Sequence, residues 1–268
     1  MRKIKLFLIL CFLLNIDLFA QINHFNIFKS YQSTLCCPKD VYGLEIQMNY
    51  VVFTSEVAEL EIPIGLYWGL LENIEVGAQF TGVSKSQGSE ILKGVEDILL
   101  AAKYNFIKED KNLVTTFPTI SAEFGLSLPT GDYKKGFGVG GVGFVLNWLL
   151  EKCILLRSEH FFNLIFNFGY KVNAQNPEQY KVGDMLFYTF GSYFDLKENF
   201  IFSFGAKGIN KKSDKLGDEK ISDTESNESY IFFGINYELD KYRRFFSSVS
   251  LGLNEDAKDF VFNIGMMY

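Results

Sequence analysis

Residues 260–268 read FVFNIGMMY, with Tyr268 as the last residue. Phe260, Phe262, Ile264, Met266 and Tyr268 fall on one side of a period of two, and Val261, Asn263, Gly265 and Met267 on the other. Chain ends are usually polar and irregular. A sustained alternation is instead the mark of a strand whose two faces meet different surroundings. A strand this regular at a terminus has no following element to join, so its edge must be satisfied by a strand from elsewhere in the chain.

Working back from the end, the same construction recurs. In 41–54, VYGLEIQMNYVVFT, the residues Leu44, Ile46, Met48, Tyr50 and Val52 alternate with Gly43, Glu45, Gln47 and Asn49. Leu60, Ile62, Ile64, Leu66 and Trp68 oppose Glu59, Glu61, Pro63 and Gly65; Ile74, Val76, Ala78 and Phe80 oppose Glu75, Gly77, Gln79 and Thr81. Segments with this pattern continue at 97–106, 119–128, 141–148, 162–172, 184–195, 199–208, 229–239, 244–254 and 259–268. That makes about twelve strands of the length that crosses a bilayer when tilted.

A soluble sandwich also alternates, so the choice rests on what each face carries. One face is dominated by large apolar residues; the other holds Glu, Gln, Asn, Lys, Gly and Ser, which suits a wet or internally paired interior and not a dry core. Aromatics gather near strand ends (Trp68, Phe106, Trp148, Tyr170), where an interfacial girdle sits. Connections alternate between short (GLLEN, IKEDKN, DLKEN, DKYRR) and longer polar ones at 84–93, 129–138, 174–182 and 210–228, with 54–56 and 149–160 as exceptions. The expectation is an all-β fold: a transmembrane antiparallel β-barrel of about twelve strands over residues 41–268, since closure alone pairs every backbone group in hydrocarbon.

The first twenty residues read as a signal peptide. Arg2, Lys3 and Lys5 precede the apolar stretch LFLILCFLLNIDLFA, and Ala20 suits the cleavage position. Asn15 and Asp17 interrupt that stretch below the roughly 20 apolar residues of a spanning helix. Residues 21–40 then form a periplasmic or lumenal segment. The net charge is −6, and removing 1–20, with three basic residues and one acidic, leaves −8. Such a chain has no general attraction for nucleic acid.

Three cysteines follow the leader, Cys36, Cys37 and Cys153, and a bridge from Cys36 or Cys37 to Cys153 is one arrangement an oxidising compartment allows. With no C-x-x-C spacing and two histidines, no metal site or cofactor is expected. The glycines of KKGFGVGGVGF (134–144) match a dinucleotide-binding spacing twice, but a turn precedes them and an alternating strand follows, so a bend with small residues is expected instead. His24 and His160 have no serine in a strand context; Ser158 beside His160 is the nearest approach to a hydrolase pair, and the protein is expected not to be an enzyme. The charged stretch 210–229 reads as a solvated loop.

The candidate lumen-lining residues are Glu45, Gln47, Glu59, Glu61, Gln79, Lys103, Glu123, Asn167, Lys171, Lys207 and Glu238. Glu75 and Asp97 belong to the same face, and Lys103, Lys171 and Lys207 are the bases expected to partner these acids.

Around AEFGLSLPTGDYKKGFGVGGVGFVLNW (122–148) the chain resembles the outer-membrane barrels named for the MetA pathway of phenol degradation. Leu128–Asp132, the glycines of 136–143, YWGLLENIEVGAQF (67–80) and GVEDILLAAKYNF (94–106) carry the likeness, which spans about 42–268. It implies a bacterial outer-membrane location and the passage of small, aromatic or apolar molecules; it brings no catalytic residues. Outer-membrane lipid and a small solute are thus the expected partners, with both termini periplasmic, long loops extracellular and no oligomeric state specified. Non-conducting structural or surface-interaction barrel and barrel lipid hydrolase are the competing readings. The ending Phe260, Phe262, Ile264, Met266, Tyr268 also resembles the signal by which the barrel-assembly machinery recognises its substrates, with Tyr in place of the usual Phe or Trp.

Overall fold

The computed structural model describes residues 36–54, 57–87, 90–109, 117–155, 161–196, 199–239 and 243–268. The leader, most of the 21–40 segment, His24, Ser158 and His160 lie outside the described residues.

Alternation becomes sheet. In chain order the strands are β1 (Tyr42–Thr54), β2 (Val57–Leu71), β3 (Ile74–Gln87), β4 (Glu90–Val95), β5 (Ile98–Ile107) and β6 (Thr119–Leu128). After a 3-10 turn at Tyr133–Lys135 come β7 (Gly143–Leu155), β8 (Phe161–Asn173), β9 (Tyr180–Lys181), β10 (Met185–Leu196) and β11 (Phe200–Lys211). The chain finishes with β12 (Lys215–Leu216), β13 (Glu219–Lys220), β14 (Ser226–Glu238), β15 (Arg244–Gly252) and β16 (Phe260–Met267). Each long strand pairs antiparallel with its chain neighbours, and β1 pairs with β16, which closes a barrel of twelve wall strands. β4 and β5 together make one wall strand, because β3 pairs with both. β9, β12 and β13 form a separate three-stranded sheet.

The final residue is part of the closure. Tyr268 N–H donates to the Leu44 carbonyl at 2.8 Å, and Leu44 N–H donates back at 3.0 Å. Between them and Val52↔Phe260 the seam runs without a register shift.

Burial is inverted relative to a soluble protein. Leu66, Phe124, Phe190 and Ile235 are each more than half exposed, whereas Asn49, Asn147 and Asn263 are fully buried and Glu45, Glu75 and Glu123 nearly so. A continuous apolar exterior of this extent is stable only against lipid. At the end where β1 starts and β16 stops, termed here the terminal end, rings form a belt: Tyr42 stacks on Trp68 (centroids 5.9 Å), Phe106 on Trp148 (5.7 Å), and Phe200 meets Tyr237 (4.8 Å).

Three sequence expectations change. The charged stretch 210–229 is not all loop, since it carries β12, β13 and the ends of β11 and β14. Residues 84–93 are largely strand, the hairpin of β3 and β4. The long connection at 149–160 shrinks, since β7 runs to Leu155; Leu149 and Glu151 continue its buried face. The apolar run LLEKCIL hid that face, because lipid-facing and inward leucines look alike in sequence.

Candidate functional site

The lumen is built in tiers, each set by cross-strand register. At the terminal end, Glu75 on β3 is opposite Lys103 on β5, which is opposite Glu123 on β6, which is opposite Asn147 on β7. Period-two alternation turns all four inward. Lys103 Nζ lies 3.4 Å from Glu75, and Asn147 Nδ2 donates to Glu123 Oε2 at 3.0 Å. One cation between two carboxylates, with an amide beyond, is how buried charges are kept tolerable.

The N-terminal segment docks on this tier. Cys37 N–H donates to Glu75 Oε2 at 2.7 Å, and the Cys36 thiol donates to the Asn73 carbonyl at 3.3 Å. Gly69 makes room for it: a Cβ there would come within 1.9 Å of the Pro38 carbonyl oxygen. Residues 36–40 therefore sit at the terminal mouth of the lumen. Burial pushes the Cys36 thiol up to about 11, against the favourable charge of Lys103. The bridge to Cys153 that an oxidising compartment allows does not form: all three cysteines are thiols. Cys36 and Cys37 are instead occupied by backbone carbonyls, with the Cys37 thiol donating to Val41 O at 3.3 Å, while Cys153 is held on β7, its N–H donating to Glu109 Oε2 at 2.8 Å.

Along the seam the polar ladder continues. Gln47 donates to Glu45, Asn49 Nδ2 donates to Glu61 at 2.8 Å, and Asn263 Nδ2 donates to Gln47 Oε1 at 3.1 Å and also reaches Asn49. The first and last strands are thus joined by side chains as well as backbone.

Nearer the other end, termed here the loop end, register breaks. Val95 pairs with Gly82 and Leu99 with Gln79, so three residues, 96–98, face two on β3. Such a bulge re-aims side chains. Here Glu96 and Asp97, adjacent in sequence, both line one cavity of about 290 Å3. Its lining is mixed: Glu61, Gln79, Thr81 and Lys171 face Leu99, Val145, Phe187 and Ile209. Asp97 holds the 129–142 connection over this cavity, accepting from Gly131 N–H at 2.9 Å and Val139 N–H at 2.8 Å. Phe137 of that connection is 1% exposed, packed where a Gly94 side chain would be, with the Lys85 ammonium 5.6 Å from its ring. The family-like glycines form this inward-folded loop, and Gly136, Gly138 and Gly140 have positive φ. The expected bend at the start of the strand is thus a lumenal loop, with β7 beginning only at Gly143.

Glu59, Glu61 and Glu96 bring carboxylate oxygens within 4.8 Å of one another. The pairing follows the sequence expectation for Lys103, which meets Glu75, and departs from it for two acids: Glu59 meets Lys85 at 3.5 Å and Glu61 meets Asn49. Lys85 is opposite Glu59 in register, a partnership that requires knowing which strands pair. The cluster can attract a cation, with the Lys85 ammonium beside Glu59 offsetting part of its charge.

The remaining candidates are dispersed. Gln79 donates to Thr81 at 3.4 Å beside the cavity, and Lys171 lines it under the influence of Glu96 and Asp97. Asn167 is buried on β8. Lys207 is buried with its ammonium 5.4 Å from the Tyr230 ring. Glu238 pairs with Arg244 at the terminal end. Glu96, Lys85 and Phe137 were missed: strict alternation assigns Glu96 outward, and a loop phenylalanine carries no signal of burial.

Two solved structures share this architecture. A COG4313 outer membrane channel from Pseudomonas putida F1 superposes with a TM-score of 0.70 at 12% identity, covering 88% of this chain and 97% of that one. The NanC porin superposes with a TM-score of 0.54 at 11% identity, covering 83% of this chain and 98% of that one. No curated protein matches the sequence. The family described as "Putative MetA-pathway of phenol degradation" matches residues 42–268, the whole barrel, and the chain belongs to that family.

Proposed function

We propose that the protein resides in a bacterial outer membrane, termini in the periplasm and long loops outside, and passes small solutes through its lumen. The observation that carries this reading is the cavity of about 290 Å3 behind the Asp97-held loop, with carboxylates and a lysine on some walls and aliphatic and aromatic side chains on others. A dry cavity of about 150 Å3 holds benzene, so the space and its mixed polarity suit a single aromatic ring carrying a polar substituent. Net acidity around Glu59, Glu61 and Glu96 favours a weak preference for cations over anions. Candidate lumen residues act here by tuning polarity and charge, not by catalysis. Phe260, Phe262, Ile264, Met266 and Tyr268 are proposed to present the closing strand to the barrel-assembly machinery. Liposome uptake tests the reading: phenol-sized solutes should enter proteoliposomes faster than disaccharides, and equal, background-level uptake of both would contradict it.

One observation favours a second reading. Residues 36–40 and the Glu75–Lys103–Glu123 tier occupy the terminal mouth, as they would in a non-conducting barrel whose loops are its working surface. Background uptake even after removal of the segment preceding β1 would select it.

A further inference from the structure

The chain is acidic overall, yet its loop end gathers lysines in one place. In the small sheet of β9, β12 and β13, Lys215 is directly opposite Lys181 on one side and Lys220 on the other. Directly paired residues of antiparallel strands share a face, with Cβ atoms about 5 Å apart, and like charges there are destabilising. These three lysines, with Lys211 and Lys212, line a cavity of about 620 Å3.

The acids around that cavity form a close ion pair with one member of the row, Lys181, and with neither of the other two. Lys181 is paired with Asp184 at 2.9 Å and Lys211 with Asp214 at 2.8 Å. Asp184 also accepts from Asn173 N–H at 3.3 Å, Glu225 from the Ser213 hydroxyl at 2.8 Å, and Asp256 from Asn227 N–H at 2.8 Å. Among the described residues, no carboxylate comes within ion-pairing distance, 4.0 Å, of Lys215 or Lys220. The row is held in place by its surroundings: the Asp214 carboxylate accepts from Gly183 N–H at 2.7 Å and from the Tyr180 hydroxyl, and Gly217 N–H donates to Gln179 O at 2.8 Å. Three lysines thus share one face of the small sheet at the rim of a pocket, and two of them, Lys215 and Lys220, have no carboxylate of the described residues within 4.0 Å.

We propose that this pocket is a binding site for a ligand carrying two or more phosphoryl groups. The cavity lining contains five lysines against three acids, Asp184, Glu225 and Asp256, and no arginine. Lysine binds phosphate as a point charge, without the planar bidentate geometry that arginine uses for carboxylate and phosphate alike, so several lysines around one volume suit a compact ligand of high negative charge. Two sources share this chemistry: soluble polyphosphates, and the bisphosphorylated glycolipids of an outer leaflet. The second source rests on the outward orientation of the loops proposed above; the first does not.

The test uses the purified, folded full-length barrel in detergent, titrated calorimetrically with inorganic tripolyphosphate and, separately, with micelles of a bisphosphorylated lipid A. The double variant Lys215→Gln/Lys220→Gln should weaken binding about a hundredfold, roughly tenfold per charge-assisted contact. Lys39→Gln, an equal step in charge for each residue replaced at the exposed terminal end, should change it less than twofold. Heat-modifiable migration on gels confirms that each variant is a closed barrel. Tripolyphosphate binding sensitive to the double variant supports the site with a soluble source; sensitive binding of lipid A alone supports it with a membrane source. No binding of either probe, or binding that the double variant leaves unchanged, overturns it. Because nothing crosses a membrane in this measurement, its failure leaves solute passage untouched, and a failure of passage leaves the site standing.

Discussion

The Asp97 carboxylate accepts the Val139 N–H at 2.8 Å, tying a wall strand to the tip of a loop 42 positions away. Its other oxygen takes Gly131 N–H, so one side chain fixes both the approach and the inward tip of the 129–142 connection. Hydrogen bonds to a charged acceptor are each worth about 1.5–3 kcal/mol. Asp97→Ala should therefore free the loop, raising conductance and its fluctuation in single-channel records while the barrel stays closed. Gly138→Ala should reproduce the phenotype by another route, since φ is +86° there and its Cβ would lie 2.4 Å from Asp97 Oδ1.

The acidic cluster should set ion preference. Replacing Glu59, Glu61 and Glu96 by Gln removes three carboxyl groups whose oxygens lie within 4.8 Å of one another and leaves Lys85 in excess. Reversal potentials under a salt gradient should move from weak cation toward anion preference. An unchanged reversal potential would place the selectivity elsewhere in the lumen.

The terminal tier should carry stability. Lys103 is 2% exposed, between Glu75 and Glu123 in register. Lys103→Met leaves both acids buried without their cation, and breaking a buried pair costs about 3–5 kcal/mol. Urea titration of the refolded barrel should show that loss; the triple variant Glu75→Gln/Lys103→Met/Glu123→Gln should recover part of it.

The seam should depend on its last residue. Deleting Tyr268 removes both hydrogen bonds to Leu44 and the final aromatic of the closing strand. The amount of heat-modifiable barrel in outer membranes should fall several-fold. Tyr268→Phe keeps both backbone bonds and should assemble normally.

Particular residues show what alternation could and could not reveal. Leu44 to Val52 against Glu45 to Asn49 stated both faces of β1, because lipid and lumen impose opposite demands on neighbouring positions. The closing role of 260–268 was legible for the same reason. Glu96 was not, since a single-residue bulge shifts the inward face and leaves no mark in composition. Lys85 could not be assigned to Glu59 without the β2–β3 register, and the row Lys181–Lys215–Lys220 joins segments that are 34 and 5 residues apart only through loop pairing. The burial of Phe137 follows from its packing on Gly94 of β4, a contact no local pattern encodes.

The central claim is that solutes pass through the lumen, and single-channel recording of the refolded wild-type barrel in a planar bilayer tests it most directly. The account predicts small discrete conductance steps with weak cation preference, enlarged by Asp97→Ala. A bilayer that stays sealed with both wild type and Asp97→Ala, at protein levels shown to be inserted and folded, would contradict it.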